Sequence, residues 1–187
     1  LQLESALASF LAKYACTAEI SNMSSHLKIV HLVDVPELIP VLEQLFVQEW
    51  EPYYGTQGPG DAARDLAESC QRDELPFALV AISADGKVAG TAALKTQSVG
   101  SDVAPGPWLA AFVVQPGNRR QGVGDALVGA IEREAKRLGL ASIFVSTDAA
   151  EGIIQRRGWR RVGAAASMRG EVAVYSLDLS PSPSRGQ

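Results

Sequence analysis

Pro116-Gly117-Asn118-Arg119-Arg120-Gln121-Gly122-Val123-Gly124 is the stretch that decides how this chain is read. The apolar run Trp108 to Val114 precedes it with the look of a strand. Val123, Leu127, Ile131, Ala135 and Leu138 follow it on one helical stripe, and Gly139 stops that helix. A strand thus enters a helix start through two glycines. Without β-carbons at Gly122 and Gly124 the backbone can approach a ligand closely, and the N–H groups of the first helical turn lack intrahelical acceptors. Such an end attracts phosphate through hydrogen bonds and the positive pole of the helix dipole, and Arg119 and Arg120 add charge at the rim. The alternative, a tight turn with no ligand, explains the glycines but not their company of strand, basic residues and amphipathic helix.

Two phosphate-binding motifs do not fit. A P-loop needs Gly-Lys-Ser/Thr after a four-residue gap, which the chain lacks. A Rossmann site needs a third glycine where Leu127 stands. Asp148 would suit a ribose, but too little chain remains after the turn for a doubly wound sheet.

Outward from the turn the pattern is α/β. Upstream, Leu27 to His31 alternates as a strand, and Asp34, Pro36 and Glu37 form a helix-start signature. Leu38, Val41, Leu42, Leu45 and Phe46 mark a buried helical face running to about Trp50. Glu51 to Gly60 carries prolines and glycines and is expected to be loop. Asp61 is placed to cap a second helix ending near Asp73. Pro76–Ile82 and Val88–Lys95 read as strands joined by the Asp85-Gly86 turn. Trp108–Val114 is apolar on both faces and so is expected at the centre of the sheet. Downstream, Ser142–Thr147 should run parallel to it, because a helix joins them. A short helix at Glu151–Arg157 and strands at Arg160–Val162 and Glu171–Leu179 close the domain. The boundaries read from this pattern are an N-terminal extension at 1–24, a domain at 25–179 and a disordered tail at 180–187. Leu3, Leu7, Phe10, Leu11 and Tyr14 give the extension helical spacing, and Met23 offers an alternative start.

Composition removes several function classes. Seventeen Lys and Arg against 21 Asp and Glu leave a net charge of −4, against a general nucleic-acid binder. No run approaches the ~20 apolar residues of a membrane span. Cys16 and Cys70 form neither a metal spacing nor a disulfide scaffold and read as reduced cytoplasmic thiols; His26 and His31 have no ligand partner at metal spacing, so no metal is expected.

The segment Phe112 to Trp159 resembles the GNAT N-acetyltransferase superfamily. Its R/Q-x-x-G-x-G/A signature is met by Arg119, Gly122 and Gly124, after a strand ending Phe112-Val113-Val114-Gln115-Pro116. A degraded form of the family's downstream motif is found in Thr147, Ala150, Ile153, Ile154, Gln155, Gly158 and Trp159. The order of elements across residues 26–179 also matches. The resemblance implies a mixed central sheet of about seven strands with about four flanking helices. It also implies an N-acetyltransferase that uses acetyl-CoA as co-substrate on the primary amine of an acceptor. The backbone of Phe112, Val113 and Val114 would pair with the pantetheine arm. The amides of Arg119, Arg120, Gln121, Gly122, Val123, Gly124 and Asp125 would hold the pyrophosphate, and Thr147 would face them across the splayed strands. Trp50, Tyr53 and Tyr54 fall where the family lines its acceptor pocket, although core packing explains such aromatics equally well. Exposed final strands are compatible with a homodimer.

Two departures bear on catalysis. The family's usual acid, a tyrosine, falls at Ile154, which cannot donate a proton. The strand glutamate often used as base is replaced by Leu109, Ala110 and Ala111. Glu49, Tyr53, Tyr54 and Asp148 remain as candidates, with Glu51 and Tyr175 behind them, each also readable as an ordinary solvated or packed side chain. Two rivals stay open. A catalytically silent acyl-CoA-binding module would bind CoA without turnover, and a nicotinamide-nucleotide binder would prefer NAD.

Overall fold

In a computed structural model, which describes residues 27–180, seven strands form one mixed sheet. They are β1 (Lys28–His31), β2 (Phe77–Ile82), β3 (Val88–Lys95), β4 (Trp108–Val114), β5 (Ser142–Thr147), β6 (Arg160–Ser167) and β7 (Gly170–Asp178), in the order β1-β2-β3-β4-β5-β7-β6. The helices are α1 (Ile39–Glu49), α2 (Glu51–Tyr54), α3 (Ala62–Glu68), α4 (Val123–Arg137) and α5 (Glu151–Arg156). The readings placed on residues 1–26 and 181–187, among them the helical spacing of the extension, Cys16, Met23, His26 and the tail beyond Ser180, lie outside the described residues.

β4 is central, as its two apolar faces require. Its pairing with β5 is the one parallel contact among the described strands, and α4 makes the crossover. The α4 stripe drives the packing. Leu127, Val128, Ile131 and Ala135 are fully buried against β2 and β3 residues such as Leu79, Ala92 and Leu94. Burial is worth ~1.5–3 kcal/mol for each large aliphatic side chain. On the opposite face Leu42, Leu45 and Phe46 of α1 and Leu66 of α3 cover Ala78, Val80 and Val113.

Several boundaries differ from the sequence reading, each for a local reason. The chain from Leu32 to Leu38 forms two 3-10 turns, and α1 begins only at Ile39. Asp34 does not cap that helix, because its carboxylate accepts from Arg72 Nη2 at 2.5 Å. Glu51–Tyr54, expected as loop, forms a single helical turn with Pro52 in its first positions and brings the α-helices among the described residues to five. Asp61 does cap α3, accepting from Arg64 N–H at 2.9 Å. That helix stops at Glu68 rather than near Asp73, where the Ser69 hydroxyl donates to the Asp65 carbonyl at 2.8 Å. β6 runs on to Ser167 despite its Gly-Ala-Ala-Ala sequence, because β7 pairs along its length.

Candidate acyl-CoA site

The two parallel strands separate where a cofactor would enter. β4 pairs with β5 only at Trp108 opposite Phe144 and Leu109 opposite Val145. Beyond these, Ala110, Val113 and Val114 have ladder partners on the β3 side alone, and Ala111 and Phe112 fall in the bulge. A bulge causes the divergence. The register shifts between Thr91 and Ala93 of β3, and the extra β4 residue falls at Ala111, whose φ is 49°. Positive φ at an alanine costs energy and is held there by the pairing on either side. Nothing in the sequence marks this alanine, and the reading of residues alone missed it.

Below the open end of β4 lies the turn into α4. Arg120 has φ 61°, and Gly122 sits at the helix N-cap in the left-handed region with φ 83° and ψ −4°. The first intrahelical bond runs from Ala126 N–H to the Gly122 carbonyl at 3.0 Å, and no side chain caps the end. Among the described residues, the amides of Val123, Gly124 and Asp125 therefore have no protein acceptor. They are free donors at a helix N-terminus, the feature an anion cradle requires.

The two glycines of this turn play different parts. A Cβ at Gly122 would meet nothing within 4 Å, so that face of the backbone is open to a ligand. A Cβ at Gly124 would come within 2.9 Å of Ile153 Cδ1 and 3.2 Å of Phe112 Cζ. Gly124 thus lets α4 lie close to β4 and α5; close packing, rather than ligand approach, is what the structure requires of it. Val123 is buried with its side chain in the core, so only its amide is available to a ligand.

Arg119 and Asp125, the charged groups at the two ends of the turn, are already engaged. Arg119 does not stand free at the rim: its Nε donates to the Val114 carbonyl at 3.0 Å and its Nη2 to Glu49 at 2.9 Å. Gln121 donates to the Gly117 carbonyl at 2.8 Å, and Arg120 is exposed. Asp125 accepts from Arg157 Nη1 at 3.1 Å, and the same guanidinium grips Glu132 at 2.9 and 2.6 Å. Its ion pairs hold the Arg157 side chain over Gly129. On the facing strand Thr147 accepts from Ala150 N–H at 3.0 Å, and Asp148 is exposed.

The catalytic candidates are dispersed. Glu49, at the end of α1, is shared by Arg119 and by Arg169 Nη1 at 3.7 Å. Tyr54 donates to Asp65 at 2.6 Å, and Lys95 pairs with the same carboxylate at 3.2 Å. Burial, helped by Asp65, pushes the Tyr54 phenol well above its ordinary range, so it stays protonated. Tyr175 is buried, donates to Glu151 and accepts from Gln155 at 3.0 Å. Ile154 is fully buried in the main core. Trp50 and Tyr54 stack about Phe46 with centroids 5.1 and 5.5 Å away, as anchors of the α1–α2 corner, while Tyr53 remains 41% exposed. Among the described residues no group of three or more His, Cys, Asp or Glu side chains could hold a metal ion, and no helix is long and apolar enough to cross a membrane.

Comparison with known proteins gives the following. A family profile described as acetyltransferase (GNAT) matches residues 41–163. No curated protein sequence matches the chain. Among solved structures, an aminoglycoside 6′-acetyltransferase type Ii is similar with TM-score 0.65 and 22% identity, covering 83% of this chain and 99% of its own. An aminoglycoside 6′-N-acetyltransferase complexed with coenzyme A gives TM-score 0.66 at 17% identity, with coverage of 83% and 99%. An aminoglycoside 6′-N-acetyltransferase from Enterococcus faecium gives 0.65 at 18% identity, again covering 83% and 99%. At these identities the likeness is one of fold.

Proposed function

We propose, since the chain belongs to the acetyltransferase (GNAT) family, whose acyl donor is acetyl-CoA, that it transfers an acetyl group from acetyl-CoA to a primary amine by direct attack. The observation that carries this reading is the coincidence of an opened β4–β5 end with an uncapped helix N-terminus just beyond it.

The residues present fit the donor. The free amides from Arg120 to Asp125 would hold the pyrophosphate, with Gly122 leaving their face clear, whereas the Arg119 amide, also expected there, is taken by the Pro116 carbonyl at 3.4 Å. The unpaired edge of Phe112, Val113 and Val114 is placed to bind the pantetheine arm as an added strand, with Thr147 on the opposite lip. When bound, the thioester supplies an activated acyl carbon and a thiolate leaving group. A backbone amide at Val113 or Val114 is positioned to polarise the carbonyl as charge develops on its oxygen.

Proton handling falls to solvent-reachable groups. Ile154 cannot donate, the Tyr54 hydroxyl is hydrogen-bonded to Asp65, that of Tyr175 to Glu151, and Glu49 is tied to Arg119. Asp148, exposed at the end of β5, or water takes the acceptor's proton. A thiol with a solution pKa of ~8.5 leaves tolerably without a protein acid.

Saturating CoA should raise the melting temperature while NAD and ATP leave it unchanged. Mass action makes the stabilisation ~2.7 kcal/mol at a hundredfold excess over the dissociation constant. A melting curve indifferent to both CoA and acetyl-CoA overturns the proposal. An amine panel assayed for acetyl-CoA-dependent thiol release then tests transfer: CoA binding without thiol release on any amine favours the silent acyl-CoA-binding module, for which the buried Ile154 is the supporting observation.

A further inference from the structure

Glu49 stands where three segments of the chain meet. It ends α1, it receives Arg119 from the β4–α4 turn at 2.9 Å, and it receives Arg169 from the β6–β7 turn at 3.7 Å. The sheet topology makes this meeting a bridge. β4 and β5 part beyond Leu109 and Val145. β7 runs antiparallel beside β5, so the turn before it projects past their last pair, Thr147 opposite Ala173. Arg119 therefore comes from the β4 lip of the opening and Arg169 from the β5 lip. The carboxylate between them spans it on the face covered by α1.

We infer that Glu49 is a positioning residue, a strap that ties the β6–β7 hairpin to the phosphate-binding turn so that each orders the other. The inference rests on the reading that the α4 turn binds CoA. The Arg119 guanidinium points to Val114 and Glu49, so it braces the turn from behind and leaves the amides to the phosphates. A ligand that binds the ordered turn favours the closed strap, and by thermodynamic reciprocity the closed strap favours the ligand. Both ion pairs are partly exposed, which limits the coupling to about three- to fivefold.

The strap can be read without knowing the acceptor, because the Arg169–Gly170 bond is a tryptic site in an exposed turn. Cleavage of a locally opened segment tracks the open population. Saturating CoA is expected to slow cleavage at Arg169 by about three- to fivefold in the parent and to leave the rate unchanged in Glu49→Gln. Arg169→Met, remote from the amide cradle, should weaken CoA binding by about threefold in calorimetry, with no further loss when Glu49→Gln is already present. Equal protection in Glu49→Gln, or additive losses in the double variant, overturns the strap. If Glu49→Gln does not fold, Arg169→Met alone decides, since unchanged CoA affinity overturns the coupling. Failure of the underlying reading looks different: the parent itself gives no binding heat with CoA.

Discussion

The two ends of α4 are built on opposite principles. At the C-terminal end Arg137 donates Nε to Glu134, Nη1 to Asp73 and Nη2 to the Arg72 carbonyl, each at 2.7 Å. Glu134 also meets His31 Nε2 at 3.3 Å, and Arg72 reaches Asp34, so β1, the α3–β2 connection and the helix are joined at one point. The basic residues there also complement the helix dipole. At the N-terminal end nothing caps the helix: Gly122 adopts a conformation that opens the backbone, and the first amides are left over. Even the acidic Asp125, which would repel a phosphate, is drawn to Arg157. A helix mounted firmly at one end holds unsatisfied donors still at the other, which is what a preorganised anion site requires.

The sharpest break in this contrast is at the open end. Gly122→Val should abolish CoA binding while the domain stays folded. It places a β-branched side chain where φ is +83° and where the phosphate must approach, while its Cβ meets no protein atom within 4 Å. Gly124→Val should instead lower stability by about 2 kcal/mol or more, because its side chain collides with Ile153 and Phe112. Arg119→Ala should weaken CoA less than Gly122→Val, since the amide cradle survives. Calorimetry and thermal melts on the three variants read the order; parental CoA affinity in a folded Gly122→Val protein would place the cradle elsewhere.

Much of that contrast was legible in the sequence, and the rest was hidden for physical reasons. The strand, the paired glycines and the α4 stripe are local periodicities, so the turn, the parallel crossover and the central place of β4 could all be read from residues. Which way each missing β-carbon faces is a tertiary fact, so Gly122 and Gly124 looked alike. The bulge at Ala111 is imposed by its neighbours on an ordinary residue. α2 is one turn long and forms where Trp50 and Tyr54 pack on Phe46, beyond the reach of a helical period. The partners of Glu49 come from residues 119 and 169, far away in the chain.

A smaller effect is expected from Arg157→Met, which tests how the open end is kept free of negative charge. The substitution removes the guanidinium that lies over Gly129 and leaves Glu132 with Trp159 Nε1 as its remaining side-chain donor, at 2.8 Å. Stability should fall by about 1–3 kcal/mol, since a partly buried carboxylate loses its cation. CoA should also bind more weakly, because Asp125 is released beside the cradle. Asp125→Asn in the same background should restore the affinity and not the stability. If the second change restores nothing, Asp125 exerts no repulsion there.

At the closed end, Arg137→Met removes three hydrogen bonds from an exposed guanidinium. It should lower the melting temperature by a few degrees at most, because solvent screens these contacts. CoA affinity should not change, as this end only mounts the helix. A marked loss of CoA binding in a folded Arg137→Met protein would contradict the division of labour between the two ends.

The smallest effect is a pH dependence at the same closed end. His31 is 7% exposed, packs against Phe77 with ring centroids 5.5 Å apart, and has no partner for Nδ1 among the described residues. Burial holds its imidazole below the ordinary histidine value; Glu134 and Asp34 pull the other way, and Arg72 and Arg137 reinforce the burial. The sign follows from linkage. The unfolded chain takes up the proton near pH ~6.5, the folded chain only at lower pH, so the unfolded state binds more protons in between. The stability contributed by neutral His31 is fully present above the unfolded value. It is lost as pH falls from there toward the folded value. His31→Phe keeps a ring against Phe77 and cannot titrate, while Glu134 keeps Arg137 as a partner. Melts at pH 7.5 and 5.5 should therefore show a larger drop for the parent than for His31→Phe. An equal drop in both would mean that other groups carry the acid sensitivity, and a smaller drop in the parent would mean that Glu134 outweighs burial and holds the imidazole charged.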